Sequence, residues 1–290
     1  METSGNFFQR YVSWLERHRI INIILIGLYF DFIFEMHVPF AQLSVWVMNN
    51  MSLPIYNKTV LAISCLLLVL FVIFLIVQYR KHKSNRLLKI SYLSLTIAFI
   101  IMHYRIMFEM NIEIIHIFQY SILALLIFPL TKRFGATVIF TVPFMLVDEW
   151  NQYVVLYPGY VEAFEFNDVI IDLYGCGLAM ITLLICGVKG AWPVKPLWRR
   201  TEFIFLLLSL IMVGITIHMG YIVLYEADKT ANTWLVLNHV HEPITFWRQF
   251  PGRPDAIYHL MQPLEAIIAI PLVAIFYFGL DSFRKEATEN

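Results

Sequence analysis

The chain has 290 residues, 59% of them hydrophobic and 14% charged, with a mean hydropathy of +0.68 and a formal net charge of zero. Soluble domains carry roughly a quarter charged residues, so this composition excludes an ordinary soluble domain, and the charge balance argues against a nucleic-acid partner. The three cysteines, Cys65, Cys176 and Cys186, all sit in hydrophobic runs without CxxC spacing, which excludes a disulfide framework and a thiolate metal site.

A helix that crosses a bilayer needs about 20 mostly apolar residues. The sequence predicts an all-α, polytopic membrane bundle with eight such spans. It begins with a short amphipathic stretch, Phe7–Leu15, that reads as an interfacial helix rather than a cleaved leader, because a full-length apolar run follows it. The spans are then Ile20–Ala41, Val60–Tyr79, Leu87–Met107, Ile112–Leu130, Gly135–Val154, Asn167–Val188, Phe203–Tyr225 and Pro263–Leu280. Three parts follow: two spans in 1–86, a four-helix core in 87–188, and two further spans with a long external segment in 189–290.

Alternate loops differ sharply in basic residues. One side holds Arg10, Arg17, Arg19, Arg80, Lys81, Lys83, Arg86, Lys89, Lys132, Arg133, Lys189, Lys195, Arg199, Arg200, Arg284 and Lys285; the other holds Lys58, Arg105, Lys229, Arg248 and Arg253. Cytoplasmic loops carry the excess of Lys and Arg, so both termini are expected in the cytoplasm of a multi-pass membrane protein. The basic cluster from Arg80 to Lys89 would also meet anionic lipid headgroups.

That orientation gathers the polar residues near the outer face. The fourth span opens with Glu113-Ile-Ile-His116 and Tyr120, the fifth closes with Asp148-Glu149-Trp-Asn-Gln152, and the sixth opens with Asp168-Val-Ile-Ile-Asp172-Leu-Tyr-Gly175. Residues three or four apart share a helix face, so each motif lays a polar stripe on one helix. The first span adds Asp31, Glu35 and His37, and the third adds His103, Arg105 and Glu109. Ionisable groups in a bilayer face a bundle interior or a wet cavity. The expectation is a polar chamber open to the outside, capped by the aromatic loop Tyr153–Phe166 with Tyr160, and by an ordered lid in Glu226–Gln262.

Asp148-Glu149 is the sharpest element, because adjacent carboxylates repel unless one is protonated or a cation is near. Consecutive residues lie about 100° apart around a helix, so only one of the two is expected to point squarely inward. Glu113-x-x-His116 has the spacing of half a carboxylate-bridged di-iron site, and no second Glu-x-x-His is present. A divalent or transition metal would take His116, Glu113, Glu149 and Asp172, with further oxygens from Asp148 or Asp168 and nitrogens from His103, His239, His241 or His259. A hydrogen-bonded helix-packing network from the same groups is the plainer alternative.

The succession of His116-x-x-x-Tyr120, Asp148-Glu149-x-x-Gln152 and Asp168-x-x-x-Asp172-x-x-Gly175 in consecutive spans resembles the VanZ-like family of small membrane proteins, named for a teicoplanin-resistance protein. The similarity covers about residues 87–188. Two positions depart from the family pattern: Pro158-Gly159-Tyr160 lacks the arginine that usually follows the proline, and Asp172 stands where an asparagine is usual. The resemblance implies a cell-envelope protein linked to glycopeptide resistance, without a defined reaction.

Two classes of function follow from the residues. In the first, the protein modifies or binds a lipid-linked or surface substrate, with Asp148, Glu149 and His116 catalytic and Glu113, Tyr120, Gln152, Asp168, Asp172 and Tyr160 contacting substrate. In the second, it is a non-enzymatic binder or carrier of a small polar ligand, ion or lipid headgroup. A metal-dependent membrane oxidoreductase is a further alternative to the first. Membrane lipids are expected partners in every case.

Overall fold

The computed structural model describes residues 6–81, 85–108, 111–158, 161–191, 195–240, 245–250 and 253–282. The chain begins with the amphipathic helix α1 (Phe7–Arg17), closed by a capping box. Asn6 Oδ1 accepts from the Gln9 backbone and Gln9 Oε1 accepts from the Asn6 backbone, at 3.0 and 3.1 Å. Such a cap satisfies two of the orphan donors at a helix start. Val12 and Leu15 are buried, Gln9 Nε2 donates to the Gly187 carbonyl at 2.9 Å, and Glu16 pairs with Lys132. The interfacial helix is therefore docked against the basic end of the bundle.

Two long helices follow, α2 (Arg19–Met51) and α3 (Leu53–Lys81), then α4 (Arg86–Met107). Both α2 and α3 run well past their predicted limits. At 1.5 Å per residue, 33 and 29 residues reach beyond the ~30 Å hydrocarbon core. Only Ser52, with φ of 62°, breaks the run between them. A single left-handed residue makes the hairpin, where hydropathy predicted a longer loop.

The core comprises α5 (Ile115–Thr131), entered through a 3-10 turn (Asn111–Ile114), then α6 (Phe134–Trp150) and α7 (Phe166–Ile185). Beyond Trp150 the backbone widens into a π-helix, Asn151–Leu156. Among the described residues seven helices are long and apolar enough to cross a membrane, and α6, with 17 residues, approaches that length only with its π-helical continuation.

After α7 come α8 (Thr201–His218) and α9 (Pro263–Phe278). The predicted seventh span continued to Tyr225, but the helix stops at His218. Gly220 adopts φ of +73° and the Tyr221 N–H donates back to the Thr216 carbonyl at 3.0 Å, a glycine-based C-cap that turns the chain outward. The segment between α8 and α9 then forms two small sheets. Strands β1 (Ile222–Val223) and β2 (Leu235–Val236) pair in parallel, and β3 (Arg248–Phe250) pairs antiparallel with β4 (Arg253–Tyr258).

The helix α7 is the axis of the molecule: every one of its residues except Leu178 is buried, and α4, α5, α6 and α9 pack around it. Peripheral helices behave oppositely. Leu66, Leu67, Leu68, Val69 and Leu70 on α3 and Leu207, Leu208, Ile211 and Met212 on α8 all face outward. Lipid as the surrounding solvent accounts for large apolar side chains outside and titratable ones within.

Candidate functional site

Where α5 and α7 cross, Gly175 brings their backbones into contact. A Cβ on Gly175 would lie 2.6 Å from the Ile117 carbonyl oxygen. The crossing is pinned by Ser121 Oγ donating to the Gly175 carbonyl at 2.7 Å and by the Cys176 thiol against the Tyr120 carbonyl at 3.4 Å. One turn toward the N-terminus of α7, the same close approach sets His116 against Asp172, with Nδ1 3.2 Å from Asp172 Oδ1.

The other ring nitrogen of His116, Nε2, faces Glu113 Oε2 at 3.6 Å and Asp168 Oδ2 at 3.7 Å. From α6, Asp148 accepts from the Tyr120 hydroxyl at 3.1 Å, and Glu149 accepts from Gln152 Nε2 at 3.1 Å. His37 of α2 completes the cluster, with Nε2 3.7 Å from Asp148 Oδ1 and its ring 6.2 Å from that of His116. Five carboxylates thus share two imidazoles, and the Lys and Arg ion pairs among the described residues all lie elsewhere.

The expectation that only one of Asp148 and Glu149 points inward is overturned, since they are 0% and 1% exposed. Their directions still differ. Asp148 turns toward α2 and Tyr120, while Glu149 approaches His116 and Asp172. Both are inward because protein wraps α6 on both sides at this level, a fact that helix periodicity within α6 could not reveal.

A second expectation, an open polar chamber, also changes. His116 is 4% exposed, Asp168 3% and Asp172 0%. The site is a packed cluster whose rim is formed by Glu113, partly exposed, and Glu165, which is exposed. Tyr120 and Gln152, expected to position a substrate, have donors committed to Asp148 and Glu149. Tyr160 lies outside the described residues, as do Glu109 and His241.

The remaining histidines are engaged elsewhere. His103 sits between the Phe99 carbonyl and the Tyr174 hydroxyl, at 3.0 and 3.2 Å. His239 pairs with Glu226, and His259 contacts the Phe246 carbonyl at 2.7 Å and Glu265 at 2.9 Å. Asp31, Glu35 and Arg105 are exposed on the outside of the bundle and make no ion pair among the described residues.

Three contributors escaped the site expected from sequence. His37 was placed in the outer half of its span, but nothing local to α2 tied it to Asp148. Glu165 stands just before α7. Asn167 closes this end of the cluster: its amide donates to the Met107 and His259 carbonyls at 3.1 and 2.9 Å, and its carbonyl accepts from the Met261 N–H at 2.8 Å. That clamp ties α7 to α4 and to the segment between α8 and α9 directly beside Asp168. The described part of the Glu226–Gln262 segment joins the Tyr153–Phe166 loop, the backbone N–H groups of Phe164 and His239 donating to the Leu237 and Glu162 carbonyls at 2.9 and 2.7 Å.

Glu165 keeps an exposed edge, yet the protein packed about it, and then the negative Glu113, push its carboxyl up to about 7 from an ordinary 4.5. A raised carboxyl pKa costs folded stability once the unfolded chain can ionise more easily. The penalty is absent below about pH 4.5, grows to about pH 7 and is complete above it. Glu165→Gln should therefore raise the melting temperature at pH 8 and leave it unchanged at pH 4. Equal melting temperatures at both values would remove Glu165 from the acidic cluster.

Two triads have ligand atoms within 4.8 Å of one another: Glu113, His116 and Asp168, and His116, Glu149 and Asp172. The four residues expected to share one ion are therefore split between two overlapping sets joined by His116.

No family model, curated protein or solved structure matches the chain. The resemblance to the VanZ-like family rests on the three motifs alone.

Proposed function

We propose that this protein works at the outer face of a bacterial cytoplasmic membrane, where the buried carboxylate–histidine cluster binds or modifies a lipid-linked or surface substrate, as its resemblance to VanZ-like proteins implies. In that setting glycopeptide resistance is the physiological output. The observation that carries the reading is the burial of Asp148 and Glu149, side by side, with no lysine or arginine among the described residues to neutralise them. Each ionisable group within a membrane costs around 2.5–3.5 kcal/mol even on insertion scales. Amides and hydroxyls would hold the helices together at lower cost, so a cluster this acidic argues for chemistry.

The roles follow from the contacts. Glu149 and Asp148 serve as acid and base, Tyr120 and Gln152 hold them in place, and Asp172 fixes the ring of His116 beside Glu113 and Asp168. A second reading, a binder of a small cation or a polar headgroup, is favoured by the tight packing, which leaves little room for a bulky substrate.

Both readings require the cluster to face outward. In a Cys65→Ser background, a membrane-impermeant thiol reagent should label Asn232→Cys, in the exposed turn between β1 and β2, in intact cells. Lys81→Cys, at the basic end of α3, should label only after permeabilisation. The reverse pattern would place the site in the cytoplasm and overturn an envelope function.

A further inference from the structure

The hydrogen bond between His116 and Asp172 has a directional consequence. A carboxylate can only accept, so His116 Nδ1 is the donor, and in the neutral ring the lone pair then belongs to Nε2. That nitrogen has no hydrogen-bond partner among the described residues. Its neighbours are Glu113 Oε2 and Asp168 Oδ2, at 3.6 and 3.7 Å.

We propose that Glu113, His116 and Asp168 hold one divalent transition-metal ion, with Asp172 orienting the His116 ring. The inference rests on reading the cluster as a functional site, but it is tested by metal occupancy rather than activity, so each can fail alone.

Several independent features converge. The two nitrogen–oxygen separations are too long for hydrogen bonds, which fall near 2.7–3.2 Å. They suit two ligands on one ion, since bonds of about 2.0–2.2 Å put neighbouring ligand atoms on the order of 3–3.8 Å apart. Asp168 is 3% exposed and its Oδ1 has no hydrogen-bond partner among the described residues, as is also true of Oδ1 of Asp148 and Oδ2 of Asp172. With His116 neutral as a ligand, His37 alone can offset only one of the five carboxylates, and a divalent ion offsets two more.

The orienting carboxylate is itself characteristic. Metal-bound histidines almost always donate their second ring N–H to a carboxylate, carbonyl or water, which fixes the ring and raises its basicity. The other triad, His116 with Glu149 and Asp172, draws on side chains already hydrogen-bonded to Gln152 and to one another. Asp172 is therefore a positioning residue. One imidazole with two carboxylates mixes a borderline nitrogen with hard oxygens and suits Mn2+ or Zn2+. Three protein ligands leave coordination positions free, and the partial exposure of Glu113 places them toward the rim.

The test uses full-length protein in detergent, stripped with chelator and titrated with MnCl2, then competed with ZnSO4. One Mn2+ should bind per chain, and its electron paramagnetic resonance should show coupling to a single imidazole nitrogen. Asp172→Asn should weaken binding roughly 10–100-fold, His116→Ala and Asp168→Asn should weaken it further, and Glu149→Gln should leave it nearly unchanged. The nitrogen coupling in the wild type needs no variant, so it decides even where a variant misfolds. No bound ion, an ion without nitrogen coupling, or loss of binding in Glu149→Gln with retention in Asp168→Asn would each overturn the proposal.

Discussion

Gly175→Ala should destabilise the protein by about 1–3 kcal/mol, the usual cost of forcing an extra methyl into a packed core, and should disrupt the cluster as well. The new Cβ would meet the Ile117 carbonyl oxygen at 2.6 Å and the Ile117 Cα at 3.0 Å. Both are backbone atoms of α5 and cannot rotate away, so α5 and α7 must separate. His116 lies one residue before Ile117, and Asp172 lies one turn before Gly175. Separation of the helices therefore lengthens the 3.2 Å contact between these side chains. Gly27→Ala is the matched control, because nothing lies within 4 Å of the added carbon and alanine favours helix by about 1 kcal/mol. Melting curves of the two purified variants decide the matter. A Gly175→Ala protein as stable as the Gly27→Ala protein would show that the crossing is loose and that the cluster is not held by it.

Much of this arrangement is legible in the amino-acid sequence. The apolar runs locate the helices because lipid demands them, and the motifs around His116, Asp148 and Asp168 do meet. They meet because the starts of α5 and α7 and the close of α6 lie at one end of the bundle, which the antiparallel order of the helices implies. The capping pair Asn6 and Gln9 likewise fits the interfacial helix expected from Phe7 to Leu15.

What stayed hidden depends on tertiary neighbours. That Glu149 and Asp148 are both inward follows from α2 lying on one side of α6 and α5 and α7 on the other. The contact of His37 with Asp148 follows from the same packing. Asn167 looks like an ordinary polar residue at a helix start until its three hydrogen bonds to α4 and the segment before α9 are seen. The closed character of the cluster was also invisible, because hydropathy records which residues are polar and not how tightly they pack. The metal ligands regroup for the same reason: Asp168 and Asp172 share a face of α7, and only the depth of His116 decides which ring nitrogen each one meets.

Glu149→Gln tests the central claim, that the buried carboxylates exist for function rather than for packing. Glutamine keeps the size of the side chain and an oxygen to accept from Gln152, while it removes one negative charge from beside Asp148, Asp168 and Asp172. The measurement is the melting temperature of Glu149→Gln, with Asp148→Asn beside it, paired with the ability of each to restore glycopeptide resistance or lipid-linked precursor levels in a host whose own gene is disrupted. The account predicts that both variants fold, that Glu149→Gln melts at or above the wild-type temperature as expected when a site carries strain, and that it restores little or nothing, since loss of an acid–base group costs roughly 10²–10⁴-fold in rate. Full restoration by Glu149→Gln, or unfolding of both variants, would contradict the account and leave the cluster as structural glue.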